Sequence, residues 1–336
     1  MVSDAGGART AWPWCPRYGS ASQLLTYVVY RAAGTALQRM PEPAGAAVAF
    51  AASQVLAVHD AAERQMYLRH LEKVLGRPLG WDEARQWARR VFASYARYWH
   101  EGARLPTVPG TVIDERFEVE SGLHHLREAV GRGRGVVMAL PHLGSWEWGG
   151  AWMARHGMPV TAVAEVLRPP ALFEWFVHQR RAMGLDVVPL GAGASGPLLR
   201  VLKAGGLVGL VADRDLSGAG VPVQFFGETT TLPAGPATLA LRSGAALLPV
   251  AIYQGPGPSH RALVLPPVDL ARTASLRADV GRVTQALAGV FEILVRRAPD
   301  QWYCFQPMWP SDQVALAGVG ADEALADRCA APRHTQ

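Results

Sequence analysis

The segment that most constrains the fold is Val136-Val137-Met138-Ala139-Leu140, five apolar residues with no polar position among them. A strand that alternates apolar and polar residues can leave one face to water, whereas a continuous apolar run must be covered on both faces. Pro141 ends the run, and Gly144-Ser145 turns the chain into a helix starting near Trp146. A doubly covered strand that feeds a helix is the repeating unit of an α/β sheet. Further strands are predicted at 159–165, 186–190, 207–212, 246–253 and 261–265, with the first at 135–140. Helices are predicted near 146–155, 170–183, 234–242 and 275–296. Residues 22–104 lack strand alternation and read as helices, broken at Met40-Pro41-Glu42-Pro43 and Gly76-Arg77-Pro78. The predicted fold is α/β: a mixed, mostly parallel central sheet flanked by helices, with a helical N-terminal region. One domain is expected over 20–310, with a helical part at 20–105 and an α/β core at 135–270, between flexible termini at 1–19 and 311–336.

The chain has 336 residues, 49% of them hydrophobic and only 18% charged, so it can build a sizeable core and broad disorder is excluded. A net charge of +5 suits an anionic partner, but no Lys/Arg run singles out nucleic acid. Cys15, Cys304 and Cys329 are odd in number and far apart, which argues against a disulfide framework and against a zinc site. The uncharged, Ala-rich segment 44–58 is shorter than the roughly 20 apolar residues that span a bilayer. No secretory signal is evident. Near the N-terminus Trp12, Trp14, Tyr18, Tyr27 and Tyr30 are interleaved with Arg9, Arg17 and Arg31, a mixture that suits a membrane interface or a first helix packed on a core.

His142 stands two residues past the apolar strand, and Glu147 follows five positions later in the first turn of the predicted helix. The carboxyl end of a core strand is where open α/β sheets place their chemistry. An imidazole that is to take a proton from an alcohol needs a carboxylate to fix its tautomer. Ten His and 28 acidic residues give about 0.8 chance pairs at one offset, so the spacing gains weight only from its context. Val211-Ala212-Asp213-Arg214-Asp215 also follows an apolar strand and falls on the same sheet edge. Arg180, near the end of a predicted helix, can satisfy a helix dipole or clamp a phosphate. Phe225-Phe226-Gly227-Glu228, residues 231–237 and residues 244–250 are dense in Gly and Pro, marking turns around a groove or simple loops. Gly191-Ala192-Gly193-Ala194-Ser195-Gly196 imitates a dinucleotide fingerprint, but too little helix follows for a usual crossover. No G-x-S-x-G elbow occurs, which argues against a serine nucleophile.

Taken in order, the stretches 93–99, 140–147, Ala164-Glu165, Arg180, 212–216, 225–228, 232–237 and Gln306-Pro307-Met308-Trp309 resemble the lipid A biosynthesis acyltransferase superfamily, and most closely its phosphatidylinositol mannoside acyltransferase branch. The resemblance implies a glycerolipid acyltransferase architecture and transfer of a long acyl chain from acyl-CoA to a mannose hydroxyl on a phosphatidylinositol mannoside. Acyl-CoA is then a substrate, with no further cofactor and no metal. It also implies peripheral docking on the cytoplasmic face of the plasma membrane. His142 becomes the general base and Glu147 its orienting acid, with Asp213 a third catalytic residue. Arg180 would contact substrate phosphate, Asp213 to Asp215 would shape the polar end of the site, and Glu165 joins the substrate-binding residues. An acyl groove is expected along Phe225, Phe226 and Thr231. Ser145 and Glu147 stand where the branch usually carries Asn and Asp, and both border the pocket. Alternatives are a lipid A-type acyltransferase using acyl carrier protein, a non-catalytic acyl-CoA or lipid-binding protein, and the dinucleotide-binding oxidoreductase suggested by 191–196.

Overall fold

The computed structural model describes residues 20–313 apart from 60, 217 and 274. Four helices come first: α1 (Ala21–Arg39), α2 (Glu42–His59), α3 (Ala61–Leu75) and α4 (Trp81–Arg104). Then follow α5 (Gly110–Arg116), β1 (Phe117–Ser121), α6 (Leu123–Gly131), β2 (Val136–Leu140), α7 (Trp146–Arg155), β3 (Val160–Ala164), α8 (Pro170–Ala182), β4 (Asp186–Pro189), α9 (Ser195–Lys203) and β5 (Leu207–Val211). The last elements are β6 (Val221–Phe225), β7 (Glu228–Leu232), α10 (Gly235–Ser243), β8 (Ala246–Gln254), β9 (His260–Val264) and α11 (Leu276–Arg297).

The main sheet has seven strands in the order β1-β9-β8-β2-β5-β3-β4. Every neighbouring pair is parallel except β8 and β9. The apolar run is β2, at the centre, and both of its faces are covered. Val137 and Ala139 pack in the layer of α9, α10 and α11 with Leu202, Ala240 and Phe291. Val136 and Met138 pack in the opposite layer with Leu126 of α6 and Trp148 of α7. A third cluster joins α3 and α4 through Tyr67, Leu71, Val91 and Phe92, with Tyr303 and Phe305 against it.

The predicted α/β architecture is what the structure shows, with three strands added. β1 alternates Phe117 and Val119 with Glu118 and Glu120 and pairs parallel with β9 at the sheet edge. The segment around Phe225-Phe226-Gly227-Glu228 is neither loop nor groove but the two-residue turn of the β6–β7 hairpin. Phe226 (φ 48°) and Gly227 (φ 80°) both take positive φ, as a type I′ hairpin requires.

After α11 the chain returns across the helical layer and is stapled there. Tyr67 Oη donates to the Pro299 carbonyl at 3.2 Å. His70 Nδ1 lies 2.9 Å from the Cys304 carbonyl and Nε2 3.0 Å from Asp312 Oδ2. Asp312 Oδ2 also accepts the Met308 and Trp309 N–H groups, both at 2.9 Å. Burial pushes the Asp312 carboxyl up, but His70 and these two N–H donors outweigh it and hold its pKa at about 2. Residues 311–313, expected within a flexible tail, are therefore fixed: Asp312 is fully buried and Ser311 bonds Glu228. The expectations for 1–19, including Trp12, Trp14 and Tyr18, and for 314–336 lie outside the described residues.

Replacing His70 by Leu removes the ring's contacts with the buried Asp312 carboxylate and the Cys304 carbonyl, a change that costs about 1–3 kcal/mol. Guanidinium unfolding of His70→Leu is expected to show a loss of that size at pH 7; a loss under about 1 kcal/mol would mean the staple carries no stability.

Candidate active site

Strands β2 and β5 pair in parallel with Leu140 opposite Val211. Ala212 N continues the ladder by donating to the Leu140 carbonyl at 2.8 Å. Two residues beyond that matched pair, His142 and Asp213 leave the sheet side by side at its carboxyl end. His142 Nδ1 is 2.5 Å from Asp213 Oδ1, and the His142 backbone N–H donates to Oδ2 at 2.9 Å. Trp302 Nε1 donates to the same Oδ2 at 2.7 Å. Burial of Asp213 pushes its pKa up, yet the His142 ring and the three hydrogen bonds outweigh burial and leave it lowered. The ionised, buried carboxylate thus accepts a hydrogen bond from Nδ1–H, which leaves the Nε2 lone pair for substrate. His142 keeps 32% of its side chain exposed while Asp213 keeps 1%.

The loop after β2 is held from both sides. Tyr303 N donates to the His142 carbonyl, and Gly144 N to the Gln301 carbonyl, each at 2.9 Å. Ser145 N donates to the Ile252 carbonyl of β8 at 3.0 Å. Gly144 has φ 61°, and a Cβ there would stand 1.9 Å from the Ile252 carbonyl oxygen, so only glycine fits. Gln254 amide donors reach the Ser94 carbonyl (3.0 Å), Tyr303 Oη (3.1 Å) and Ser145 Oγ (3.3 Å).

Glu147 lies in the first turn of α7 as expected, but it does not orient His142. Its Oε1 accepts from Tyr98 Oη at 3.1 Å and from Arg180 Nη2 at 3.3 Å. Its Oε2 is buried with no partner among the described residues. Burial raises the Glu147 pKa, with Arg180 and the hydrogen bonds pulling only partly against it. The assignment of Glu147 as the orienting acid is corrected to Asp213. An in-register neighbouring strand delivers Asp213 straight to Nδ1, whereas Glu147 is carried off on a helix.

The remaining expectations divide. Arg180 is at the site, stacked 5.0 Å over Trp146, and its Nε is buried without a partner among the described residues. Arg214 Nε is in the same condition. Ser145 is buried at the start of α7. Glu165 is exposed just past β3. Asp215 turns away from the polar end: its Oδ2 accepts from Gly220 N at 2.7 Å and from Thr231 Oγ1 at 3.1 Å, tying the loop to the hairpin. Phe225 and Phe226 line no groove; both are buried in the core against Trp302 and Trp309. Residues 191–194 form an exposed turn after the edge strand β4. Tyr98, Gln254 and Trp302 were missed as site residues.

An apolar cavity of about 50 Å³ lies beneath α7, between it and strands β2, β3, β5 and β8. Leu140, Trp146, Met153, Ala162, Val211 and Ile252 are among its walls. Leu140 and Trp146 bracket the His142 loop, so the cavity opens next to the site. Among the described residues, no three His, Cys, Asp or Glu side chains converge as metal ligands.

Comparison with known proteins places these features in context. The family model for bacterial lipid A biosynthesis acyltransferase matches residues 17–311. A phosphatidylinositol mannoside acyltransferase of Mycolicibacterium smegmatis is 39% identical over 292 residues, covering 86% of this chain and 92% of that protein. One of Mycobacterium tuberculosis is 36% identical over 320 residues, covering 93% and 96%.

A carboxyl whose folded pKa is raised contributes stability below its unfolded value near 4.5 and loses it as pH rises through the folded value. Glu147→Gln, permanently neutral, is therefore expected to raise Tm by about 2–4 °C at pH 8 and by less at pH 4. An equal change at both pH values would show that Glu147 is not destabilised by burial.

Proposed function

The chain belongs to the bacterial lipid A biosynthesis acyltransferase family and is an acyltransferase, and we propose that it moves a long fatty acyl chain from acyl-CoA to a mannose hydroxyl of a phosphatidylinositol mannoside. The observation that carries the chemistry is the half-exposed His142, with Asp213 on Nδ1 and Nε2 left for a substrate. His142 Nε2 takes the hydroxyl proton as the oxygen attacks the thioester carbonyl carbon. The carbonyl electron pair moves to oxygen, and the tetrahedral intermediate then re-forms the carbonyl by breaking the carbon–sulfur bond. The departing thiolate takes the proton back from the imidazolium, leaving ester, CoA thiol and neutral His142. General-base catalysis of this kind contributes about 10²–10⁴-fold. Arg214, with its unpaired Nε, is the donor best placed in sequence to stabilise the oxyanion, worth about 3–4 kcal/mol.

Glu147, Tyr98 and Arg180 then serve the acceptor rather than the base. The free Glu147 Oε2 can accept a neighbouring sugar hydroxyl, and the free Arg180 Nε can donate to phosphate. The apolar walls under α7, rather than the β6–β7 region, are assigned to the part of the acyl chain next to the thioester, since the cavity there is apolar but only about 50 Å³.

The reading also docks the protein on the cytoplasmic face of the plasma membrane, the side on which acyl-CoA is available. Among the described residues no single helix is long and apolar enough to cross a bilayer. Support for surface docking comes from α2, which touches the body through a stripe of small residues, Gly45, Ser53 and Ala57. Its Val48, Phe50, Val55, Leu56 and Val58 are 49–60% exposed, and Leu24, Leu25, Val28 and Val29 of α1 are exposed as well. Exposed apolar residues in this number on one helix mark an interaction surface.

Purified protein given a long-chain acyl-CoA and a mannosylated phosphatidylinositol is expected to release CoA thiol and form a mannose ester, identified by mass spectrometry. His142→Ala is expected to lower that turnover by about 10²–10⁴-fold. A variant that keeps most of the wild-type turnover would remove the mechanism, and turnover with acyl carrier protein alone would replace the donor.

A further inference from the structure

Where α2 ends, a second cleft of about 450 Å³, continuous with solvent, opens between its last turn, α3 and the start of α4. Among the described residues three arginines line it, Arg64, Arg85 and Arg89, and no acidic side chain does. The rest of the wall is apolar, including Ala57, Val58 and Trp81. Arg64 Nη1 donates to the Ala57 and Val58 carbonyls at 2.9 and 2.6 Å, which fastens one cation at the end of α2. Arg85 lies 4.7 Å over the Trp81 ring, and Trp81 is 71% exposed. Arg85 and Arg89 are exposed and make no hydrogen bond or ion pair with a described residue. The nearby acid Glu83 is already occupied, taking both terminal nitrogens of Arg77 at 2.9 and 2.6 Å.

The place of this cleft decides what it suits. Val58 belongs both to its wall and to the exposed apolar face of α2, so the arginines sit at the margin of the surface assigned to the bilayer. An apolar face with an exposed Trp and cations at its edge is the arrangement of an interfacial helix, with side chains in the acyl boundary and guanidinium groups at phosphate depth. It is also separate from the catalytic centre. Arg89 is nine residues and Arg85 thirteen residues from Tyr98 along α4, or about 14 and 20 Å at 1.5 Å per residue.

We propose that this cleft is a headgroup site for an anionic phospholipid of the bilayer, holding its phosphate between Arg64, Arg85 and Arg89 while the apolar face of α2 enters the acyl region. The inference rests on the membrane-docking reading above. Bilayer lipid held here sets the orientation of the His142 cleft to the surface in which a lipid acceptor lies.

Sedimentation of the full chain with phosphatidylcholine vesicles, and with vesicles that also contain phosphatidylglycerol, tests it. Wild type is expected to prefer the anionic vesicles. Arg85→Gln/Arg89→Gln is expected to lower anionic partitioning by about 30-fold, the effect of two surface-proximal cations, with phosphatidylcholine binding unchanged. Arg132→Gln/Arg134→Gln removes the same charge from exposed positions beside the opposite end of β2 and is expected to change partitioning less than threefold. Val55→Asp/Leu56→Asp is expected to lose both vesicle types. An Arg85/Arg89 variant with wild-type preference overturns the headgroup site while leaving the docking face intact. Wild type that sediments with neither vesicle overturns both readings. If the variant keeps its vesicle preference but raises KM for acyl-CoA, the cleft anchors the donor and the lipid assignment fails.

Discussion

The parallel, in-register pairing of β2 with β5 is the constraint on which the site depends. Because Leu140 faces Val211, residues equally far past the strand ends meet, and those residues are His142 and Asp213. A slip of one residue would exchange the faces of the strand and take the pair apart. The register is held by β2 itself: an apolar residue at every position, with alternate residues packed into two different layers, leaves one alignment that buries them all. Core packing and catalytic geometry are therefore set by the same backbone ladder.

A second layer of constraint comes from the segment after α11. Trp302 donates to Asp213, Tyr303 to the His142 carbonyl, and Gln301 accepts from Gly144, so three consecutive residues grip the acid, the base and the turn between them. That segment is fixed in turn by His70, whose ring lies 6.0 Å from that of Trp302, and by Asp312. The site is rigid on this side. Among the described residues, Glu147 Oε2, Arg180 Nε and Arg214 Nε are buried without hydrogen-bond partners, where each unmade hydrogen bond costs about 1–3 kcal/mol. Under the proposed function a polar acceptor would satisfy those atoms on binding, which suits a sugar phosphate better than a purely apolar ligand.

Much of this was legible in the residues, and the limits have physical reasons. β2, β5 and β8 announce themselves because strands covered on both faces admit few polar residues. β1 is hidden by its alternating glutamates, and β6 by Pro222, a residue that demotes an apolar run. His142 was visible at a strand end, and Asp213 was placed on the same sheet edge. Their direct bond was not, because it spans 71 positions and depends on which strand lies beside β2. Glu147 looked like the partner because helical spacing is local and readable. Trp302 acts across 89 positions, and nothing in its neighbourhood separates it from a core tryptophan. The Phe225-Phe226 pair reads equally as groove or core, and only the hairpin turn decides between them.

The central claim is that Asp213, and not Glu147, holds the Nδ1 proton of His142. Nitrogen-detected or long-range proton–nitrogen NMR of histidine-labelled protein reads that proton directly. The account requires Nδ1 to carry it in wild type and in Glu147→Gln, and Asp213→Asn to move it to Nε2. A tautomer that changes in Glu147→Gln and persists in Asp213→Asn would contradict the account.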